Sequence, residues 1–175
     1  MNRKGCFSVF FGGREKLRWK DVGFISDQEK FALLARDLTR EFPRSPRETL
    51  AGYVILARML DKCRAVLAGK NGDYHFDCPL DNRFLDVTEI KAVDFKAFVA
   101  TGEDDGAVGA WIAERAKERP RIEVIKWNNQ RRELKISDLP EAAQEFLEGY
   151  VPQFVPRNRP VYCWFDVYDL EEQRI

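Results

Sequence analysis

The chain has 175 residues, 45% hydrophobic and 13% aromatic, a length and composition that suit one globular domain with a substantial core. Lys and Arg (29) balance Asp and Glu (29), so no global field draws the molecule to nucleic acid or an anionic membrane. No apolar run approaches the roughly 18 residues of a membrane helix, and Cys6, Cys63, Cys78 and Cys163 form no CxxC pair. A single histidine excludes three-histidine and HExxH zinc sites within the chain. The expectation is a cytoplasmic protein with free thiols, no metal and no cofactor.

Residues 1–25, with Arg3, Lys4, Arg14, Lys16, Arg18 and Lys20 around Gly12-Gly13, read as a flexible basic extension to a single domain spanning 26–175. Ser26 and Glu29 form a capping box ahead of Phe31, Leu34, Ala35 and Leu38 at helical spacing, and Phe42-Pro43 ends that helix. A second box, Ser45 with Glu48, has Pro46 at the first helical position. It predicts a helix over 46–68, stopped by Gly69 in the left-handed conformation. Tyr53–Leu60 is apolar on every face except at Arg58, so this helix should be enclosed by the others.

Shorter helices follow at Pro79–Val87, Val93–Ala100, from Asp104 or Asp105 to before Pro120, and at Leu139–Tyr150. Residues 121–136 fit a helix better than a hairpin about Asn128-Asn129. Pro152, Pro156 and Pro160 then argue for an extended aromatic segment over Val161–Val167. The predicted architecture is all-α: about six short helices around the 46–68 helix, strapped by that C-terminal segment.

The candidate chemistry gathers near the predicted central helix. Arg58, Asp61, Lys62 and Arg64 lie within two turns, and a buried charge requires a partner. Either Arg58 pairs with Asp61, Asp81 or Asp86, or Arg58 or Arg64 turns its fork to an anionic ligand. His75 and Cys78 could form a base–nucleophile pair, or join Cys63 or Asp81 around a metal. The bland alternative is a loop histidine and a buried thiol that pin a turn.

Residues 115–135 carry eight basic against three acidic side chains beside Trp127, Asn128 and Asn129. Phosphate-backbone contact is conceivable there, although a solvated helix face needs no further signature. Asp166 and Asp169 could serve as acid–base carboxylates, or cap and pair among Tyr162, Trp164, Phe165 and Tyr168.

Several strings are more specific: Ser45-Pro46-Arg47, Tyr53-Val54-Ile55-Leu56, Asp61-Lys62-Cys63-Arg64-Ala65, His75-Phe76-Asp77-Cys78-Pro79-Leu80-Asp81, and the closing Trp164-Phe165-Asp166 with Asp169-Leu170-Glu171-Glu172. Over roughly residues 37–175 they resemble the bacterial family called domain of unknown function 5069. The resemblance implies a small, mostly helical, cytoplasmic domain and carries over no activity. Ala57 stands where that pattern has proline.

The functional expectation is a non-catalytic binding or regulatory domain. A small anionic ligand or protein partner would be held near Arg58, Asp61, Arg64, His75, Cys78 and Asp81. A Cys–His or metal-assisted enzyme at His75 and Cys78, and nucleic-acid binding through 115–135, are the alternatives.

Overall fold

The computed structural model describes Lys30 and residues 33–175. The basic extension over 1–25 and the Ser26 capping box lie outside the described residues. Among the described residues the helices are α1 (Leu56–Leu67), α2 (Pro79–Thr88), α3 (Ala92–Val99), α4 (Asp105–Arg115), α5 (Arg121–Arg132), α6 (Glu141–Phe154) and α7 (Trp164–Glu171). A 3₁₀ turn over Ile136–Asp138 joins α5 to α6, and two isolated bridges, Leu50 with Tyr53 and Lys135 with Cys163, stand in place of any sheet. The fold is all-α.

Enclosure of α1 follows only in part from its sequence: Tyr53–Leu60 is apolar except at Arg58, but the charged Asp61, Lys62 and Arg64 are buried as well. Every residue from Tyr53 to Ala65 is buried. Phe84, Phe95, Val108, Ile112 and Phe165 pack around Ile55, Leu56, Met59 and Leu60 in one continuous core. Edge-on contacts tie the turn before α1 to α2, through Tyr53 and Phe84, and α3 to α4, through Phe95 and Trp111. A second core of Leu139, Leu147 and Val167 joins α6 to α7.

Helix α1 begins ten residues later than the sequence predicts. The Ser45–Glu48 box does form, with the Ser45 N–H donating to Glu48 Oε1 and the Arg47 N–H to Ser45 Oγ, but it closes a turn. The chain then reverses through Ala51 and Gly52, both at positive φ, and Ile55 takes φ 72° before the helix starts. Buried Asn128 of α5 holds this detour by accepting from the Val54 N–H (3.1 Å) and donating to the Gly52 carbonyl (2.7 Å). A distant amide thus outcompetes the local helix signal.

The first predicted helix also stops early, since residues 33 and 34 are helical and 35–37 are not. Gly69 is left-handed as predicted (φ 65°), and Asp104 caps α4 by accepting from the Ala107 N–H. Helix α5 replaces the hairpin alternative. Helix α6 runs through Pro152 to Phe154, and the expected aromatic strap is instead helical from Trp164.

Exposed Ala51 carries a left-handed strain that glycine would not. Ala51→Gly is therefore expected to raise the unfolding free energy by about 0.5–1 kcal/mol. The reading is a higher urea midpoint at unchanged slope; a lower midpoint would show that the strain is relieved elsewhere.

Candidate functional site

Arg58, Asp61, Lys62 and Arg64 are each no more than 3% exposed, so each must find a partner. None finds it along its own helix. Arg58 donates both terminal nitrogens to Glu172 on the C-terminal end of α7 (2.9 and 2.6 Å), with Tyr74 and Tyr168 rings flanking its guanidinium. Asp61 accepts a fork from Arg44 and a further contact from Arg36. Arg64 donates to Asp105 (2.6 Å) and to the Glu103 carbonyl. Asp105 also receives Arg44: burial pushes its carboxyl up, but the two arginine hydrogen bonds outweigh that and hold it low. Both guanidinium forks that could have met an anion are occupied within the protein, Arg58 by Glu172 and Arg64 by Asp105 and the Glu103 carbonyl.

Lys62 projects the other way, to Asp81 Oδ1 (2.8 Å) and to the Cys78 sulfur (3.1 Å). The Asp81 contact is an ion contact without hydrogen-bond alignment. The other oxygen of Asp81 accepts from the Asp77 and Cys78 N–H groups, so Cys78 to Asp81 forms a capping box that starts α2. His75 is exposed, and no hydrogen bond joins it to Cys78 among the described residues. The sulfur is held by Lys62, a partner the sequence did not single out. Cys63 is wholly buried and burial pushes its thiol up to about 12, which makes it inert at neutral pH. Among the described residues no three His, Cys, Asp or Glu side chains stand together as metal ligands.

A cavity of about 650 Å³ opens beside α1, with Arg58, Lys62, Tyr74, Cys78 and Glu172 in its wall and His75 at its edge. A second, apolar slot of about 350 Å³ lies between α2, α6 and α7. The two share Cys78, Leu80, Tyr150, Tyr168 and Glu171 in their walls and so lie side by side, together making a cleft with a polar end and an apolar end. Burial raises the phenols of Tyr74, Tyr150 and Tyr168, with Glu172, Glu171 and Cys78 respectively adding to it. The tyrosines stay protonated donors at neutral pH. Of the six residues expected at the site, Arg58, His75 and Cys78 line this cleft, while Asp61 and Arg64 face the Arg44–Asp105 network and Asp81 lies beneath Lys62.

Asp166 and Asp169 are both engaged by Arg47, which reaches Asp169 Oδ2 at 2.9 Å. Asp166 also accepts from the Tyr162 and Cys163 N–H groups, a second Cys-x-x-Asp capping box, now starting α7. In the basic segment, Lys117 pairs with Glu89, Arg119 donates to the Val87 carbonyl, and Arg115 and Arg131 lie over Trp111 and Trp127. With Asn128 committed to the 52–54 turn, half of the segment's cations and its buried amide serve the fold. The sequence expectation leaves Arg44, Arg47, Lys62, Tyr168 and Glu172 out of the candidate site, although Lys62 stands among the helix charges that need a partner and Tyr168 and Glu172 stand in the aromatic-acidic run 162–172.

The model of a family described as a domain of unknown function (DUF5069) matches residues 40–174. No curated protein matches the chain. No helix among the described residues is long and apolar enough to cross a membrane.

Proposed function

We infer that this chain, which belongs to the DUF5069 family, is a non-catalytic binding domain that holds a small molecule in the cleft beside α1. The observation that carries the reading is the adjacency of the polar cavity and the apolar slot across shared walls, with sizes in the range of small-molecule sites. The buried cations in the wall are already paired, Arg58 with Glu172 and Lys62 with Asp81. Paired charges suit a preorganised receptor better than a proton-transfer site. An anionic ligand would be met by exposed Arg40 at the rim or by Lys62, whose ammonium has a third N–H beyond its contacts with Asp81 and Cys78, because the Arg58 fork is occupied.

The test is a thermal-shift screen of the full chain against a metabolite panel spanning anions, cations and neutral aromatics. A ligand present at a hundred times its Kd adds about 2.7 kcal/mol of stability, which is readily measured. His75→Trp, at the exposed edge of the cavity, should erase the shift of a true cleft ligand. A panel without a single shift would overturn the reading.

The contact between Lys62 and Cys78 favours a second reading, a thiol enzyme, because an ammonium and a helix N-terminus both stabilise a thiolate. Peptide-level alkylation by iodoacetamide separates the two. Under the binding reading, Cys78 labels faster than buried Cys63 but no faster at about pH 7 than free cysteine. A Cys78 rate at about pH 7 far above that of free cysteine would instead support the enzyme.

A further inference from the structure

We propose that the apolar end of the cleft binds an organic cation, an aromatic or alkyl ammonium group, with Glu171 as its counter-ion. The inference rests on the cleft reading above and names the class of its ligand. Four aromatic side chains, Phe146, Tyr150, Trp164 and Tyr168, wall the slot, and Glu171 is the one charged residue that lines it. No basic residue enters that lining. Half-buried Glu171 accepts a hydrogen bond from the Tyr150 hydroxyl (2.8 Å) and makes no ion pair among the described residues.

Every other buried carboxylate of the site is matched: Glu172 by Arg58 and Arg174, Asp81 by Lys62, Asp169 by Arg47. Glu171 meets only a neutral phenol, which leaves a negative charge facing a largely apolar space. A carboxylate so placed favours a positive guest, since its field is poorly screened there.

The rings strengthen the same preference. An ammonium over an aromatic face gains from the ring quadrupole, the more so when water is excluded. One face of Tyr168 already takes a cation, the Arg58 guanidinium at 4.8 Å. Phe146, Tyr150 and Trp164 hold none among the described residues, although Arg47, Arg115 and Arg131 lie over other rings of the molecule. Tyr150 is itself stacked on Phe146 and Phe154 and contributes its hydroxyl, so the slot offers the cation-free rings of Phe146 and Trp164 beside an unmatched carboxylate.

Isothermal titration of the full chain with benzyltrimethylammonium, benzyl alcohol and phenylacetate tests this. The cation should bind at least about tenfold more tightly than the alcohol, and phenylacetate more weakly than either. Glu171→Gln, which keeps an acceptor for Tyr150, should weaken the cation about tenfold and leave the alcohol unchanged. Phe146→Ala, at a mostly exposed position that tolerates truncation, should weaken the cation several-fold, and Ala143→Trp, which fills the slot, should abolish binding of both.

Phenylacetate binding as well as the cation, or Glu171→Gln leaving the cation unaffected, would overturn the proposal. Binding of benzyl alcohol with no preference for charge would remove this inference and leave the cleft reading standing. No heat from any probe would remove the slot as a binding site altogether.

Discussion

Glu172→Ala is expected to lower the unfolding free energy by about 3–5 kcal/mol, the largest loss of any single side chain in the site. The carboxylate is buried and accepts two hydrogen bonds from Arg58, one from the Tyr74 hydroxyl and one from Arg174. Truncation leaves a guanidinium that is 2% exposed with no counter-ion, and the desolvation cost of that charge is then uncompensated. Against a total stability of about 5–15 kcal/mol for a domain, this is a large fraction.

The cost belongs to the orphaned charge and not to a strong bond, and a double-mutant cycle separates the two. Removing both charges in Arg58→Met/Glu172→Met should cost less than the sum of the single changes, with a coupling on the order of 1–3 kcal/mol. Urea denaturation followed by circular dichroism reads both numbers. Additive losses would show that Arg58 is satisfied elsewhere, by the Arg44 carbonyl and the two flanking tyrosines.

How far the sequence announced this arrangement depends on the range of the interaction. The enclosed helix was legible, because an all-round apolar stretch has only one environment that suits it, and so was the need for its charges to be paired. Their partners were not. Arg58 meets Glu172 across 114 positions and Arg47 meets Asp169 across 122, and no local spacing encodes such a contact.

The Ser45–Glu48 box misled for the same reason: its hydrogen bonds form, but Asn128 holds the next residues out of the helix. The strap at 161–167 is a different kind of miss, since Cys163-x-x-Asp166 repeats the Cys78-x-x-Asp81 box that starts α2. Cysteine is not among the usual capping residues, so the signal was present and went unread. The Pro152 inside α6 was overweighted, as a proline near a helix end removes one hydrogen bond without breaking the turns before it.

On the alkaline side the stability of this protein should fall well before its lysines discharge, and Cys63 is the group to watch. Its thiol is wholly buried and pushed up to about 12 in the fold, against about 8.5 in an unfolded chain. The unfolded state therefore gives up this proton first as the pH rises. The contribution is fully present below about pH 8.5 and is lost progressively toward pH 12.

At pH 10.5 the two-unit gap corresponds to about 3 kcal/mol. The raised phenols of Tyr74, Tyr150 and Tyr168 add a loss of the same sign above about pH 10. Cys63→Ala isolates the thiol: it should cost about 1 kcal/mol at pH 7.5, where only packing is lost, and exceed the parent in stability at pH 10.5. Urea midpoints of the two proteins at both pH values decide the matter. A gap that stays constant would mean that the Cys63 sulfur ionises as readily in the fold as outside it, and the core around α1 would then have to admit water.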